Sequence, residues 1–207
     1  MNNVSTQKED ALFANGRGIV LFLLVLVYTF NFLDRQILAI LAPDIQKEMH
    51  LDDGALGLLL GFPFAVFYAV LGLPVAYFAD RKDRTWIMTI ALTIWSAMTA
   101  ACGMAQNIFQ LTIARMLVGV GEAGGVAPAY SLISDYFPQK QRARAMAIYS
   151  FGIPIGSAIG IIFGAVIATL SNWRIAFITV GIMGVILAPI FRALIKEPVR
   201  GGHDLNA

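Results

Sequence analysis

Six apolar stretches, each about as long as a bilayer-crossing helix, constrain this chain more than any other feature. They run over residues 18–41, 55–79, 85–104, 108–134, 145–170 and 173–195. About 20 apolar residues are needed to cross the hydrocarbon core, and only helices or closed barrels satisfy their backbone there. The pattern predicts an all-α integral membrane protein with six transmembrane helices. Composition agrees: 58% of the 207 residues are hydrophobic and 14% are charged. A soluble domain of this size could not hide that much apolar surface. The first stretch is too long for a signal-peptide core and no small-residue cleavage site follows it, so it reads as an uncleaved span.

The loops fix an orientation. One side collects Lys8, Arg17, Arg81, Lys82, Arg84, Lys140, Arg142, Arg144, Arg192, Lys196 and Arg200. The other has only Lys47 and Arg174, and Arg35 and Arg115 fall within spans. A missed span would scramble this alternation. Basic loops stay on the cytoplasmic side, so both termini are expected there, in a cell membrane. Residues 1–17 then form a cytoplasmic N-terminal segment and 18–196 a six-helix domain. Residues 197–207 form a polar tail, expected to be disordered, or the start of a linker. The net charge of +2 says little in a membrane protein, and no nucleic-acid partner is expected. The single Cys102 excludes an intramolecular disulfide and a cysteine-rich metal site. His50 and His203 lie in polar stretches, so no metal or cofactor is expected. An intramembrane enzyme is the weakest reading, because neither Gly-x-Ser-x-Gly nor His-Glu-x-x-His occurs.

Four charges interrupt the apolar spans. Asp34 and Arg35 stand in the first, within Asn31-Phe-Leu-Asp-Arg35, and Ile37 to Leu41 continue apolar behind them. Arg115 and Glu122 stand in the fourth. Their seven-residue spacing puts them on one face, about 10 Å apart, with Gly119 between them leaving room for an approaching chain. On the first helix Tyr28, Asn31 and Arg35 share a face. An unpaired ion in hydrocarbon is costly, so the two acids and two bases should meet across these helices or line a wet cavity. Asp34 lies about 24 Å along its helix from residue 18, and Glu122 about 21 Å from residue 108. That depth favours Arg115 as the partner of Asp34, while tilt could bring Arg35 to Glu122. Function as a proton or ion switch competes with a structural ion pair that locks the bundle. Burial and a nearby arginine act in opposite senses on a carboxylate's proton affinity, so an arginine that changes partners couples protonation to conformation.

Small residues and prolines mark the remaining spans. Glycines at 152, 156, 160 and 164 stripe one face of the fifth helix, a spacing that lets another helix approach closely. The stripe reads first as static packing. The fourth helix is also small-residue-rich, through Gly119, Gly121, Ala123, Gly124, Gly125 and Ala127. Two such smooth helices could rock against their neighbours. Pro63 and Pro74 in the second helix and Pro154 in the fifth should bend them.

Taken together these motifs resemble the major facilitator superfamily. Ala76 to Arg84 is similar to its Gly-x-x-x-Asp-Arg-x-Gly-Arg signature, with Ala76 and Asp83 in the two glycine positions. Arg115-x-x-x-Gly119-x-Gly121 matches the fourth-helix signature, and Gly152-Ile-Pro154-Ile-Gly156-Ser-Ala-Ile-Gly160 the glycine-proline motif of the fifth. Asn172-Trp173-Arg174 before the sixth helix is also typical. Asn31 to Arg35, Gly121 to Gly125 and Ser134 to Pro138 most resemble the spinster-like branch; the anion–cation symporters share similar first- and fourth-helix motifs. The resemblance implies a proton-coupled secondary carrier working by alternating access. Asp34, Arg35 and Glu122, with Arg115 and Asn31, would serve proton coupling and the substrate cavity. Asp80, Arg81 and Arg84 would form a cytoplasmic latch, and Gly152, Pro154, Gly156 and Gly160 a packing or hinge element. Lysolipid- or sphingolipid-like amphiphiles are the implied substrates. The alternatives are an organic-anion/proton symporter of the same superfamily or a truncated, non-transporting membrane fragment. The superfamily has twelve helices in two halves with substrate between them. This chain looks like the N-terminal half, with Lys196-Glu197-Pro198 resembling the start of the linker. The implied partners are membrane lipids, protons and either a C-terminal six-helix half or a second copy.

Overall fold

The computed structural model describes residues 16–201. The helices are α1 (Arg17–Met49), α2 (Asp53–Leu60), α3 (Phe62–Ala79), α4 (Arg84–Met104), α5 (Ile108–Glu122), α6 (Val126–Tyr136), α7 (Gln139–Ser150), α8 (Gly152–Leu170) and α9 (Trp173–Leu194). No strand occurs among the described residues. Three spans are interrupted, as α2–α3, α5–α6 and α7–α8, so that six helical segments are long and apolar enough to cross a membrane. The Lys8 and His203 positions and most of the expected terminal segments lie outside the described residues.

Short polar side chains start the helices where the loops end. Asp52 accepts from the Ala55 N–H at 2.6 Å, Asp83 from Trp86 at 2.8 Å and Asn107 from Gln110 at 2.9 Å. Asn172 accepts from Arg174 at 2.7 Å and Ile175 at 3.3 Å. Each satisfies donors that a helix N-terminus cannot satisfy itself. His50 closes α1 in the left-handed region, at φ 52°.

Four spans differ from the pattern expected from hydropathy. The first was expected to end near residue 41, but α1 runs on to Met49, 33 residues in all, with Pro43 inside it. Its length of about 50 Å exceeds the ~30 Å hydrocarbon core, and its last two turns, bearing Asp44, Lys47 and Glu48, are a polar helical extension. The second was expected as one helix over 55–79, yet it starts at Asp53 and is interrupted at Gly61, with Pro63 at the start of α3. The fourth span was expected as one helix over 108–134, yet it breaks at residues 123–125, directly after Glu122. Pro128 stands in the first turn beyond. It has no N–H and its ring displaces the carbonyl four residues back, at Gly124. The chain responds with tighter i→i−3 bonds, Gly124 N–H to the Gly121 carbonyl and Gly125 N–H to that of Glu122, both 3.0 Å. The fifth span starts at Gln139 rather than 145, which makes the basic 139–144 segment helical, and it is interrupted at Phe151 just before Pro154. Pro74 and Pro189 are accommodated inside continuous helices.

Packing is organised by two glycine seams. The stripe on α8 seats that helix on α1. A Cβ at Gly152 would lie 2.9 Å from Tyr28 Cβ, and one at Gly160 would lie 2.8 Å from Gln36 Cβ and 2.9 Å from the Leu33 carbonyl oxygen. A second seam joins α4 to α9, where Gly181 and Gly184 meet Ser96 and Ala100, and Gly103 meets the Arg174 carbonyl and Ile178. Helix α5 packs on α4, with Gly121 against Trp95 and Gly124 against Ala91. The stripe expected from the sequence therefore has a defined partner, the helix that carries Asn31, Asp34 and Arg35. The α2–α3 and α7–α8 spans are buried over only 12% and 17% of their most apolar windows, so their apolar faces look outward from this bundle. Pro154 is exposed on that outward side.

Candidate functional site

Helices α1 and α5 bring the four buried charges together as two ion pairs. Arg115 Nη1 donates to Asp34 Oδ2 at 3.1 Å, and Arg35 donates to Glu122 Oε2 through Nη2 at 2.7 Å and Nε at 3.0 Å. Both pairings left open by the depth arithmetic are thus present at once, and Arg115 is the partner of Asp34 as that arithmetic favoured. The pairs are not equivalent. The Asp34 and Arg115 side chains are 1% and 3% exposed, whereas Arg35 is 32% exposed over a fully buried Glu122. Arg35 therefore faces open space on one side while holding a buried acid on the other. Its charge is accessible to an incoming group; that of Arg115 is not.

Aromatic rings frame the exposed arginine. The Arg35 guanidinium carbon lies 4.7 Å from the Phe64 ring centre, 5.1 Å from Tyr68 and 5.4 Å from Phe32. Phe64 is also 5.4 Å from the Arg115 guanidinium, so one ring touches both cations, an arrangement that favours them through the ring's negative face. Gly119 makes this possible, because a Cβ there would stand 2.9 Å from the Phe64 carbonyl oxygen. The chain that the gap at Gly119 admits is α3. Tyr28 extends the aromatic surface, stacked on Tyr149 at 4.4 Å and edge-on to Phe32 at 5.1 Å.

A second polar cluster closes the end of the bundle that carries the basic residues. Arg84, 1% exposed, donates to Asp135 at 2.5 Å, Ser131 at 2.7 Å and Glu197 at 2.6 Å. Glu197 also accepts from the Arg84 and Thr85 backbone N–H groups at 2.9 and 3.1 Å. Arg200 then reaches the Ala79 and Lys82 carbonyls at 2.8 and 2.5 Å and also the Asp80 carbonyl, and Gly201 N–H bonds Asp135 at 3.0 Å. Residues 197–201, expected to belong to a disordered tail, form a strap across this end, because Glu197 and Arg200 satisfy groups that the α3–α4 loop exposes. Partial burial works to raise the Asp83 pKa. The hydrogen bonds it accepts from the Thr85 hydroxyl and Trp86 N–H, with the Arg192 charge, outweigh that and hold it below the ordinary value.

The expected sites are thus brought together unequally. Asp34, Arg35, Arg115 and Glu122 converge, with Asn31 buried one turn away. Of the expected latch, Arg84 is central. Asp80 is exposed and takes part through its carbonyl, and Arg81 lies over the neighbouring Tyr77 ring at 3.7 Å. Phe64, Tyr68, Tyr149 and Ser131 carry no signal in the sequence pattern that marks them as part of either cluster. Asp135 belongs to the Ser134–Pro138 motif and Glu197 to the segment resembling the start of a linker, and the structure brings both onto Arg84. At the opposite end Glu48 ties α1 to α9, accepting from Trp173 Nε1 at 2.7 Å and from Arg174, which also donates to the Ala105 carbonyl at 3.0 Å.

Six spans around paired intramembrane charges define a helical membrane-transport domain. The chain belongs to the Major Facilitator Superfamily, whose family model matches residues 24–207, and it corresponds to the N-terminal half of the spinster-like branch. It is 36% identical over 167 residues to an MFS-type efflux pump of Mycolicibacterium smegmatis, covering 81% of this chain and 39% of that protein. It is 34% identical to protein spinster of Drosophila melanogaster, covering 89% of this chain and 31% of the relative. Its fold matches the crystal structure of a bacterial homolog to the human lysosomal transporter Spinster, in an inward-facing, occupied conformation. That match has a TM-score of 0.88 at 38% identity and covers 92% of this chain and 46% of the other. The chain therefore spans less than half the length of the relatives it matches.

Proposed function

We propose that this chain forms the charge-bearing half of a proton-coupled secondary carrier working by alternating access, with small amphiphiles of the lysolipid or sphingolipid kind as substrates. The observation that carries the reading is the asymmetry of the two ion pairs. Arg35 is open on one side, so a phosphate or carboxylate headgroup can compete with Glu122 for it. A released Glu122 then takes a proton, since an unpaired carboxylate in a buried site is costly. Arg115 and Asp34 keep the adjacent region of α1 and α5 joined while this exchange occurs. The aromatic surface of Phe32, Phe64, Tyr68 and Tyr28 suits the apolar part of such a substrate.

The outward apolar faces of α2–α3 and α7–α8 need a cover in which the cavity is completed, either a C-terminal six-helix half or a second copy. The excess of Lys and Arg at the strapped end supports an orientation with both termini cytoplasmic, in the plasma or inner membrane. The amphiphile class is what the resemblance of Asn31 to Arg35, Gly121 to Gly125 and Ser134 to Pro138 to the spinster-like branch implies.

The test begins with the mass of the protein in lipid nanodiscs. A dimer, or a complex with a second six-helix chain, defines the form to reconstitute. In that form Glu122→Gln is expected to retain membrane abundance and substrate binding while losing the pH dependence of transport. A Glu122→Gln protein that transports with the wild-type pH profile would overturn the coupling role. Collapse of its abundance would instead identify the Arg35–Glu122 pair as scaffolding.

A further inference from the structure

The ion pair at Asp34 is only half engaged. Arg115 Nη1 reaches Asp34 Oδ2, while Asp34 Oδ1 and Arg115 Nε are buried and have no hydrogen-bond partner among the described residues. A buried carboxylate oxygen without a donor is costly, and the helix placed to supply one is α4.

Helix α4 meets α5 where Trp95 packs on Gly121 and Ala91 on Gly124. Continued by one turn, this antiparallel register sets residue 99 opposite residues 116–117, beside Arg115. Thr99 is fully buried. Cys102, three residues on along the same face, is an electrostatic neighbour of both Asp34 and Arg115. A buried threonine in a helix can satisfy its hydroxyl on the carbonyl four residues back. Thr89 and Thr93 do so on this same helix, at 2.7 and 2.8 Å. Thr99 leaves the Trp95 carbonyl alone, and its Oγ1 has no formed hydrogen bond among the described residues. The hydroxyl stands against the Asp34 carboxylate. Ser96 also forgoes a backbone bond, but its hydroxyl lies in the α4–α9 seam, against Gly184.

We propose that Thr99 is a positioning residue for Asp34, donating its hydroxyl hydrogen to Oδ1 and so holding Oδ2 on Arg115. A hydroxyl has one hydrogen to give and rotates to suit its acceptor. A bond to an ionised acceptor is about twice as strong as one to a neutral carbonyl, so the carboxylate outcompetes the Trp95 carbonyl for it.

The consequence is a choice of partner. Asp34 stands among Arg115 and Glu122 on α5, Arg35 on its own helix and Cys102 on α4, and Arg35 competes with Arg115 for it. A donor on α4 fixes the carboxylate toward Arg115, which leaves Arg35 to Glu122 and to an incoming headgroup. The assignment deepens the coupling site proposed above and rests on that reading for any effect on transport; the orientation of Asp34 is measured without it.

Infrared difference spectra of the full chain in nanodiscs test the contact, with the Asp34 carboxylate bands assigned by their loss in Asp34→Asn. Thr99→Val keeps the shape of the side chain without the hydroxyl and should shift those bands. Thr99→Ser keeps the hydroxyl and should leave them in place. An Asp34 without carboxylate bands, unshifted bands in Thr99→Val, or equal shifts in both variants would overturn the proposal, the last by showing packing rather than a bond at work. Stability gives a second reading. Thr99→Val should lower the thermal midpoint by roughly 3–10 °C, the loss of one hydrogen bond to a charged group. No fall is expected in the Asp34→Leu/Arg115→Met background, where no carboxylate awaits the donor. Equal falls in both backgrounds would refute the contact, and if that background does not fold the spectra decide. A Glu122→Gln protein with the wild-type pH profile would remove the coupling role yet leave both results standing, so the two readings fail separately.

Discussion

Replacing Gly156 by alanine should separate α8 from α1, and the structure indicates how severely. A Cβ at position 156 runs into the Thr29 carbonyl oxygen and stands 3.0 Å from Phe32 Cβ and 3.1 Å from the Thr29 carbonyl carbon. Two of these obstacles are backbone atoms of the longest helix in the bundle, so no rotamer change relieves them. Overpacking of this kind costs about 1–3 kcal/mol, against which alanine recovers up to ~1 kcal/mol of helix preference. The net loss is on the order of 1–2 kcal/mol. Gly164 provides an internal contrast. A Cβ there meets only side-chain atoms of Ile40, at 3.1, 3.2 and 3.8 Å, and a shift of that side chain should make Gly164→Ala close to neutral. Gly72, with nothing within 4 Å of its would-be Cβ, should be stabilised by roughly 0.5–1 kcal/mol as alanine. The assay is thermal unfolding of the purified chain followed with a thiol-reactive dye, since Cys102 is free and buried and reports opening of the bundle. The expected order of midpoints is Gly72→Ala, then wild type and Gly164→Ala together, then Gly156→Ala. Gly156→Ala unfolding with or above the wild type would mean that α8 is not seated on the α1 backbone, and the account of the stripe would fail.

Removing Arg115 leaves Asp34 buried without its partner. Arg115→Met should therefore lower stability by about 3–5 kcal/mol, and the added change Asp34→Asn should restore much of it; equal losses in the single and double variants would count against the pair. Glu197→Gln should speed hydrogen exchange at the Arg84 and Thr85 amides, which it caps, without affecting exchange near Asp34. Unchanged protection would show the strap to be incidental. Because the folded Asp83 carboxylate titrates below its ordinary value, its contribution is present above the unfolded pKa near 3.9 and is lost as pH falls through the lower folded value. Asp83→Asn should thus be less stable than the wild type near neutral pH and converge with it in strong acid, as read from thermal midpoints across pH. A constant gap at all pH values would refute the ionised cap. Trp173→Phe removes the bond to Glu48 but keeps most of the ring and should cost about 1 kcal/mol in the same assay.

Much of this arrangement is legible in the sequence because hydrocarbon imposes simple rules. Six apolar runs must become six helices, and four charges inside them must find partners or water, so composition and spacing alone lead to the expectation that Asp34, Arg35, Arg115 and Glu122 meet or line a wet cavity. The interruption after Glu122 was legible in principle. Gly124 and Gly125 followed by Pro128 carry the signal, but hydropathy is blind to it, since an apolar run continues through the break. The length of α1 was hidden for the opposite reason. Polarity returns at Asp44 while the backbone keeps its helical bonding past Pro43. The Arg84 cluster joins residues from 84, 131, 135 and 197, and no local pattern connects a strap residue to a buried arginine more than a hundred positions earlier.

The sequence by itself determined the number of spans, the sites of charge inside them and the face on which the α8 glycines lie, because helix period and transfer energy act on neighbours along the chain. Only the tertiary structure decided which acid meets which base, that Arg35 rather than Arg115 is left open, and that Phe64 stands between the two arginines. Those outcomes depend on how far α3 can approach α5 at Gly119 and how closely α8 seats on α1, and such distances are set by the mutual fit of surfaces far apart in sequence.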